Sequence, residues 1–154
     1  MPLLPRAFVL PLVGSFILLP RLHADARDPM SFKPCEVVTG NEVAGLSKGK
    51  LLSPPVGGSA ACTYLIELAD GTVESYGFSL QAPAGIEAMW KVQTPTERGE
   101  AVPGLWDEAH VAKRFMASGF SLQAVRRGDV ALAVTGERKD VLIAFAKLAV
   151  SKLR

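Results

Sequence analysis

The strongest constraint on the fold is a pair of strand-forming segments joined by an Asp-Gly turn. Residues 62–68 are rich in side chains that favour strands, and residues 73–81 form a second such segment. Asp70-Gly71 lies between them, which is a strong signal for a β-hairpin. In the second segment Tyr76 and Phe78 are two residues apart and therefore share one face of the strand.

Helix signals occur on both sides of this hairpin. Thr39 and Glu42 have the spacing of a capping box, which predicts a short helix over about residues 40–47. A second helix is predicted to begin at Pro83 and to end before Pro95. Proline is tolerated in the first turn of a helix, and the residue that precedes a proline avoids the helical region.

The C-terminal third of the chain predicts further strands and a last helix. Residues 115–134 are strand-like and are interrupted by turns at 117–119 and 126–129. Thr135 is the predicted cap of a helix over about residues 137–153. Apolar residues surround much of this helix, so we expect it to lie against the sheet.

The order of these elements predicts one α+β domain over residues 27–154. We expect an antiparallel sheet of about six strands, with helices packed against it and one disulfide. A chain of 154 residues is long enough for one domain of ordinary size and too short for two.

Residues 1–26 predict a signal peptide. Arg6 precedes an uncharged apolar run of 13 residues, Ala7 to Leu19, which is shorter than the ~20 residues of a spanning helix. Ala24-Asp25-Ala26 predicts cleavage before Arg27, and cleavage after Ala24 is an alternative. An uncleaved anchor or a misassigned start is the competing interpretation. The predicted location is periplasmic or secreted.

Cys35 and Cys62 are the only cysteines, and both follow the predicted leader. An even number of cysteines in an exported chain predicts a disulfide. A redox or metal-binding pair is the alternative, although the spacing is not that of a CxxC motif and no histidine is adjacent.

The charge of the chain points away from nucleic acid. Seventeen Lys and Arg face fifteen Asp and Glu, a net charge of +2, and the basic residues form only short pairs such as Lys113-Arg114. A nucleic-acid interface needs a concentrated basic face. We therefore expect the partner to be an unidentified ligand or an envelope protein. Membrane contact is expected only through an uncleaved leader.

Three aromatic residues, Tyr76, Trp90 and Trp106, are candidate ligand or interface residues. Large aromatic side chains line pockets and anchor interfaces. The alternative is that these rings only fill the core.

His110 is the one histidine that follows the predicted leader, and Asp107 and Glu108 precede it. This group could supply a general base for an envelope hydrolase or redox enzyme. A nucleophilic serine in a G-x-S-x-G sequence is absent, and too few further ligands are present for a zinc site. No catalytic residue, metal or cofactor is therefore predicted.

Several short motifs together resemble a broad group of small exported bacterial domains of unknown function, many of them lipoproteins. The group's pattern is PC-x-L-L-T-x-x-E-V, then a second Cys followed by x-Tyr, then G-L-G-D-E-A. The matching segments here are Pro34 to Thr39 with Glu42-Val43, Cys62 to Tyr64, Pro103 to Ala109, and Arg127 to Leu132. This chain has Trp106 where the group commonly has Gly, and it lacks a lipobox. The resemblance implies an antiparallel sheet with flanking helices, a Cys35–Cys62 bridge and an envelope location.

The sequence thus predicts an exported module that binds a ligand or assists another protein without catalysis. An enzyme that uses His110 with Asp107 or Glu108 is one alternative. A secreted inhibitor is another, in which the loop over residues 54–59 would insert into the target enzyme.

Overall fold

The computed structural model describes residues 31–153, and within them the chain forms an eight-stranded antiparallel sheet with five helices. The predicted signal peptide lies outside the described residues. The helices are α1 (Pro34–Val37), α2 (Gly40–Ser47), α3 (Pro83–Val92), α4 (Pro95–Arg98) and α5 (Lys139–Lys152). The strands are β1 (Lys50–Leu51), β2 (Val56–Gly57), β3 (Ala61–Glu67), β4 (Val73–Gln81), β5 (Glu100–Ala101), β6 (Glu108–Lys113), β7 (Phe120–Arg126) and β8 (Val130–Gly136). The sheet order is β1-β3-β4-β8-β7-β6-β5, and β2 pairs with β3 beside this path.

The predicted hairpin forms between β3 and β4. Glu67 pairs with Val73 next to the turn, and Gly71 adopts a φ of +82°, which glycine accepts without strain. The Asp70 carboxylate accepts a hydrogen bond from the Thr72 N–H at 2.9 Å. The turn chemistry and the strand pattern therefore specify the same local structure.

One face of the sheet carries the main core beneath α1, α2 and α5. Phe145 of α5 lies against Tyr64 of β3 and Phe78 of β4, with ring centroids 5.6 and 5.5 Å apart respectively. Gly136 allows the Tyr76 ring to approach, because a Cβ at this position would lie 2.3 Å from that ring. The central strands and α5 thus pack closely enough to exclude water.

A buried polar network joins α2, β4 and the start of α5. The Tyr76 hydroxyl donates to Glu74 Oε2 at 2.6 Å, and the Arg138 guanidinium forms an ion pair with Glu74 Oε1 at 2.9 Å. Arg138 also donates to the carbonyl of Ser47 at 2.6 Å. Burial, followed by the hydrogen bond to Glu74, raises the pKa of Tyr76 well above its usual range. Tyr76 therefore stays protonated and donates.

The disulfide is formed between Cys35 and Cys62, with their Cα atoms 5.2 Å apart. It links α1 to β3 beneath β2. Gly57 lies against this bridge, because a Cβ there would be 2.3 Å from the carbonyl of Ala61 and 2.8 Å from the Cys35 sulfur. The predicted antiparallel sheet, packed helices and disulfide are confirmed.

The predicted number of about six strands is wrong, because the sheet has eight. The loop predicted over residues 54–59 contains β2, and α4 and β5 form between the second predicted helix and the strand-like C-terminal segment, where the sequence predicts no element. Two-residue strands are too short to show a periodicity in the sequence. They form because β3 and β6 offer backbone groups for pairing.

Two predicted boundaries also shift in the C-terminal third. Phe115, predicted as strand, lies in the loop after β6. Thr135, predicted as a helix cap, belongs to β8 and pairs with Gly77, and α5 begins at Lys139. The ladder with β4 thus extends the strand past the capping residue.

Reduction of the Cys35–Cys62 bridge is expected to lower the free energy of unfolding. The cysteines are 27 residues apart, and closing a loop of that size stabilises a fold by about 3 kcal/mol through the entropy of the unfolded chain. Urea unfolding with and without a reductant measures the change. The control is the Cys35→Ser/Cys62→Ser double variant, whose stability the reductant should not affect. Coincident midpoints for oxidised and reduced wild type contradict this expectation.

Candidate functional site

The opposite face of the sheet carries the short helix α3. Pro83 occupies its first turn, and Gln93-Thr94-Pro95 ends it. Ile86 and Trp90 lie four residues apart on one side of the helix, and both are buried. They pack on Val125 of β7 and Ala131 of β8, which forms a second core that is smaller than the first. Helix α3 contacts β7 and β8, so β3 and β4 keep an open face on this side.

Trp90 is held by contacts on three sides. Its indole N–H donates to Gln123 Oε1 at 3.1 Å, and its backbone carbonyl accepts a hydrogen bond from Arg98 at 2.7 Å. The His110 ring lies edge-on to the indole, with centroids 5.0 Å apart. His110 pairs with Gln123 across β6 and β7, so the strand register places both side chains beneath α3.

Glu108 and His110 are two residues apart in β6, so their side chains lie on the same face of the sheet. His110 Nε2 lies 3.0 Å from Glu108 Oε1 and donates to this carboxylate. Arg127 donates to the other oxygen at 3.2 Å, and Arg98 lies 3.5 Å from Oε1. The hydrogen bond from His110 is the largest cause that lowers the pKa of Glu108, and burial opposes it. Glu108 is therefore an ionised acceptor at neutral pH.

The contacts of His110 are those of a residue that stabilises the fold. With Nε2 bonded to Glu108, the proton-accepting atom of the neutral ring is Nδ1, which is buried without a hydrogen-bond partner among residues 31–153. Asp107 accepts a hydrogen bond from the backbone N–H of Arg127 at 2.7 Å, so its carboxylate holds the β7–β8 turn. His110 makes no hydrogen bond to a serine or another nucleophile within the described part of the chain.

A groove of about 1050 Å³ opens beside α3. We call it the α3 groove, and its lining includes Met89, Gln93, His110, Phe120, Ser121 and Gln123. The residue stretch 112–115 lines it as well. A smaller hollow of about 330 Å³ lies between Trp90, Arg98 and Arg127. The large groove is therefore built by α3, α4 and the β6–β7 hairpin, and Trp90 orients its inner wall.

Some basic residues around the α3 groove form ion pairs and others do not. Lys139 is paired with Glu100, and Arg98 lies against Glu108. Lys113 and Arg114 are exposed and form no ion pair with any residue that the structure describes. One wall of the groove therefore carries free positive charge next to the apolar surface of Met89, Phe115 and Phe120.

The structure does not bring the three predicted aromatic residues together. Tyr76 is fully buried in the main core, whereas Trp90 is buried in the second core beneath α3. Trp106 is partly buried at the edge of the main core, where the Arg126 guanidinium lies 5.2 Å from its ring centroid. Of the three, Trp90 contacts residues that line the α3 groove.

The other predicted sites lie apart from the groove. Residues 54–59 form an exposed edge at β2, fixed beside the disulfide, and Val56 is 71% exposed there. The β6–β7 contribution to the groove was missed, because Ser121 and Gln123 carry no motif and approach α3 only through the fold. Their alternation along β7 was the one available signal.

Comparisons of this chain with protein-family models, curated proteins and solved structures find no match. Within residues 31–153, no three His, Cys, Asp or Glu side chains are grouped as metal ligands. None of the helices in the same range is long and apolar enough to cross a membrane.

Replacing Glu108 by Gln is expected to cost about 1–2 kcal/mol of stability at pH 7, because three donors lose their charged acceptor. The pKa of Glu108 is lowered in the folded state, so this stabilisation is present above the pKa of the unfolded chain. It is lost as the pH falls through the lower folded value, so the two proteins should converge only at a pH below the ordinary pKa of a glutamate.

Urea unfolding of wild type and Glu108→Gln between pH 3 and pH 8 tests this dependence. Glu36→Gln is the matched control, because among the described residues Glu36 pairs with Lys33 alone and both side chains are well exposed. Such a surface pair contributes about 0–1 kcal/mol. A constant difference between wild type and Glu108→Gln at every pH contradicts the assigned role of the carboxylate.

Proposed function

We propose that this protein is an exported binding module without catalytic activity, and that it holds a small amphipathic anion in the α3 groove. The observation that carries the proposal is the groove itself. Its volume of about 1050 Å³ lies just above the ~300–1,000 Å³ that is usual for small-molecule sites, and its lining combines apolar surface with a few polar groups.

The chemistry of the lining supports this ligand class. Met89 and Phe120 offer apolar contact to a short hydrocarbon chain, and Gln93 and Ser121 offer hydrogen bonds. Lys113 lies on the same groove without an ion-pair partner among the described residues, so it favours a carboxylate or phosphate. A medium-chain carboxylate unites these features.

The proposed location is the bacterial periplasm or the cell exterior. The predicted leader supports it, and the Cys35–Cys62 disulfide is compatible with an oxidising compartment. The resemblance to small exported bacterial domains gains support from the backbone. Trp106 has a φ of 49°, a conformation that favours glycine, the residue common at this position in that group.

The hydrolase alternative receives no support from the arrangement around His110. Its Nε2 is bonded to Glu108, Nδ1 is buried, and Asp107 holds a turn. The exposed edge at residues 54–59 carries no feature that selects a target enzyme, so inhibition stays a sequence-based prediction.

Filling the groove is expected to abolish ligand binding. Ser121 is half-buried and lines the groove, so Ser121→Trp places a large ring where the ligand would lie. Octanoate should raise the melting temperature of wild type progressively with its concentration, because a ligand that binds only the folded state adds ~2.7 kcal/mol to stability at a hundred times its Kd. It should leave Ser121→Trp unchanged. Thermal unfolding at increasing octanoate concentration measures both.

Ser75→Trp is the matched control. Ser75 is an exposed residue of β4 outside the groove, so this variant should respond to octanoate like wild type. The neutral probe 1-octanol should give a smaller shift than octanoate in wild type. No response in wild type, or equal responses in all three proteins, contradicts the proposed site.

A further inference from the structure

The loop between β6 and β7 exposes two adjacent large apolar side chains. Phe115 is 90% exposed and Met116 is 89% exposed, the highest values among the large apolar residues of the described chain. Val92 is the next at 83%, and it stands on α3 away from this pair in sequence. Single exposed apolar residues are ordinary, but a contiguous protruding pair marks an interaction surface.

The backbone of this loop does not require these residues. Arg114 N–H donates to the carbonyl of Gly119 at 3.1 Å and closes the loop. Met116 has a φ of 54°, which lies in the left-handed region that favours glycine or asparagine. A bulky apolar side chain therefore occupies a turn position where a small or polar residue would fit with less strain.

Two positively charged residues directly precede the apolar pair. Lys113 and Arg114 precede it, are exposed, and form no ion pair within residues 31–153. The loop sequence from residue 113 to residue 121 contains no acidic residue. Exposed apolar side chains next to unpaired cations favour binding to an anionic membrane surface. The apolar side chains enter the headgroup region, and the cations bind the lipid phosphates.

We infer that residues 113–116, the docking loop, attach the protein peripherally to an anionic lipid surface. Phe115 and Met116 enter the headgroup layer, and Lys113 and Arg114 bind phosphate oxygens. The docking loop shares residues 113–115 with the lining of the α3 groove, but its contact with lipid goes beyond ligand binding in that groove and does not require it. It also differs from the sequence-based expectation that only the leader contacts a membrane.

Vesicle binding tests the inference with the full chain. Vesicles of phosphatidylglycerol and phosphatidylethanolamine should bind wild type, and Phe115→Ser/Met116→Ser should weaken this binding by tenfold or more. Lys113→Ala should weaken it by about fivefold, the effect of one positive charge near an anionic surface. Phosphatidylcholine vesicles should bind wild type weakly, because they carry no net charge.

Two controls separate the loop from general surface effects. Val92→Ser removes another highly exposed apolar side chain outside the loop, and Lys147→Ala removes an exposed positive charge on α5. Both should bind like wild type. Every variant carries the same N-terminus, so a difference between variants comes from the substituted residue.

A fluorescent probe reports the insertion of the loop itself. The Phe115→Trp variant should bind like wild type, its emission should shift to the blue on anionic vesicles, and brominated lipids should quench it. An unshifted and unquenched emission overturns the inference. Equal vesicle binding by Phe115→Ser/Met116→Ser and Val92→Ser also overturns it. That result would indicate that Phe115 and Met116 contact a protein partner and not lipid. Ser121→Trp should keep vesicle binding, which separates this test from that of the groove.

Discussion

The packing of Phe145 against Tyr64 and Phe78 decides how the two faces of the sheet are used. This contact sets α5 across the sheet, and Lys152 near its end meets Glu42 of α2 at 2.6 Å. Helices α1, α2 and α5 therefore all pack on one face of the sheet. Large buried rings and the ion pair between Glu74 and Arg138 fill the core beneath them, whereas the α3 groove lies on the opposite face.

On the other face, the longest helix that the structure describes is α3, which has only ten residues. Helix α3 is anchored by Trp90 and covers β7 and β8, while β4 presents small or polar side chains such as Ser75 to solvent. A helix this short covers only part of an eight-stranded sheet, so a recess remains where α3 meets the β6–β7 hairpin. The α3 groove is thus a consequence of how unequally the two faces are covered.

The sequence predicts the parts of this fold that have a local cause. The Asp70-Gly71 turn, the capping box at Thr39 and the proline at residue 83 each specify an element by short-range chemistry. β2 and β5 depend on a neighbouring strand, so no local pattern marks them. The groove could not be predicted, since Ser121 and Gln123 meet α3 only in the folded chain. Trp90 contacts residues that line the α3 groove, whereas Tyr76 is buried in the main core, and the sequence pattern that grouped them could not distinguish the two faces of the sheet.

The central claim is that the face bearing α3 holds the ligand. Titration of the ¹⁵N-labelled protein with octanoate, followed by amide chemical shifts, tests it most directly. The account predicts saturable shifts at Gln93, Ser121 and Gln123, and none at Thr63 or Ser75 on the open strands. Shifts confined to other parts of the molecule, or no shifts at all, would contradict the account.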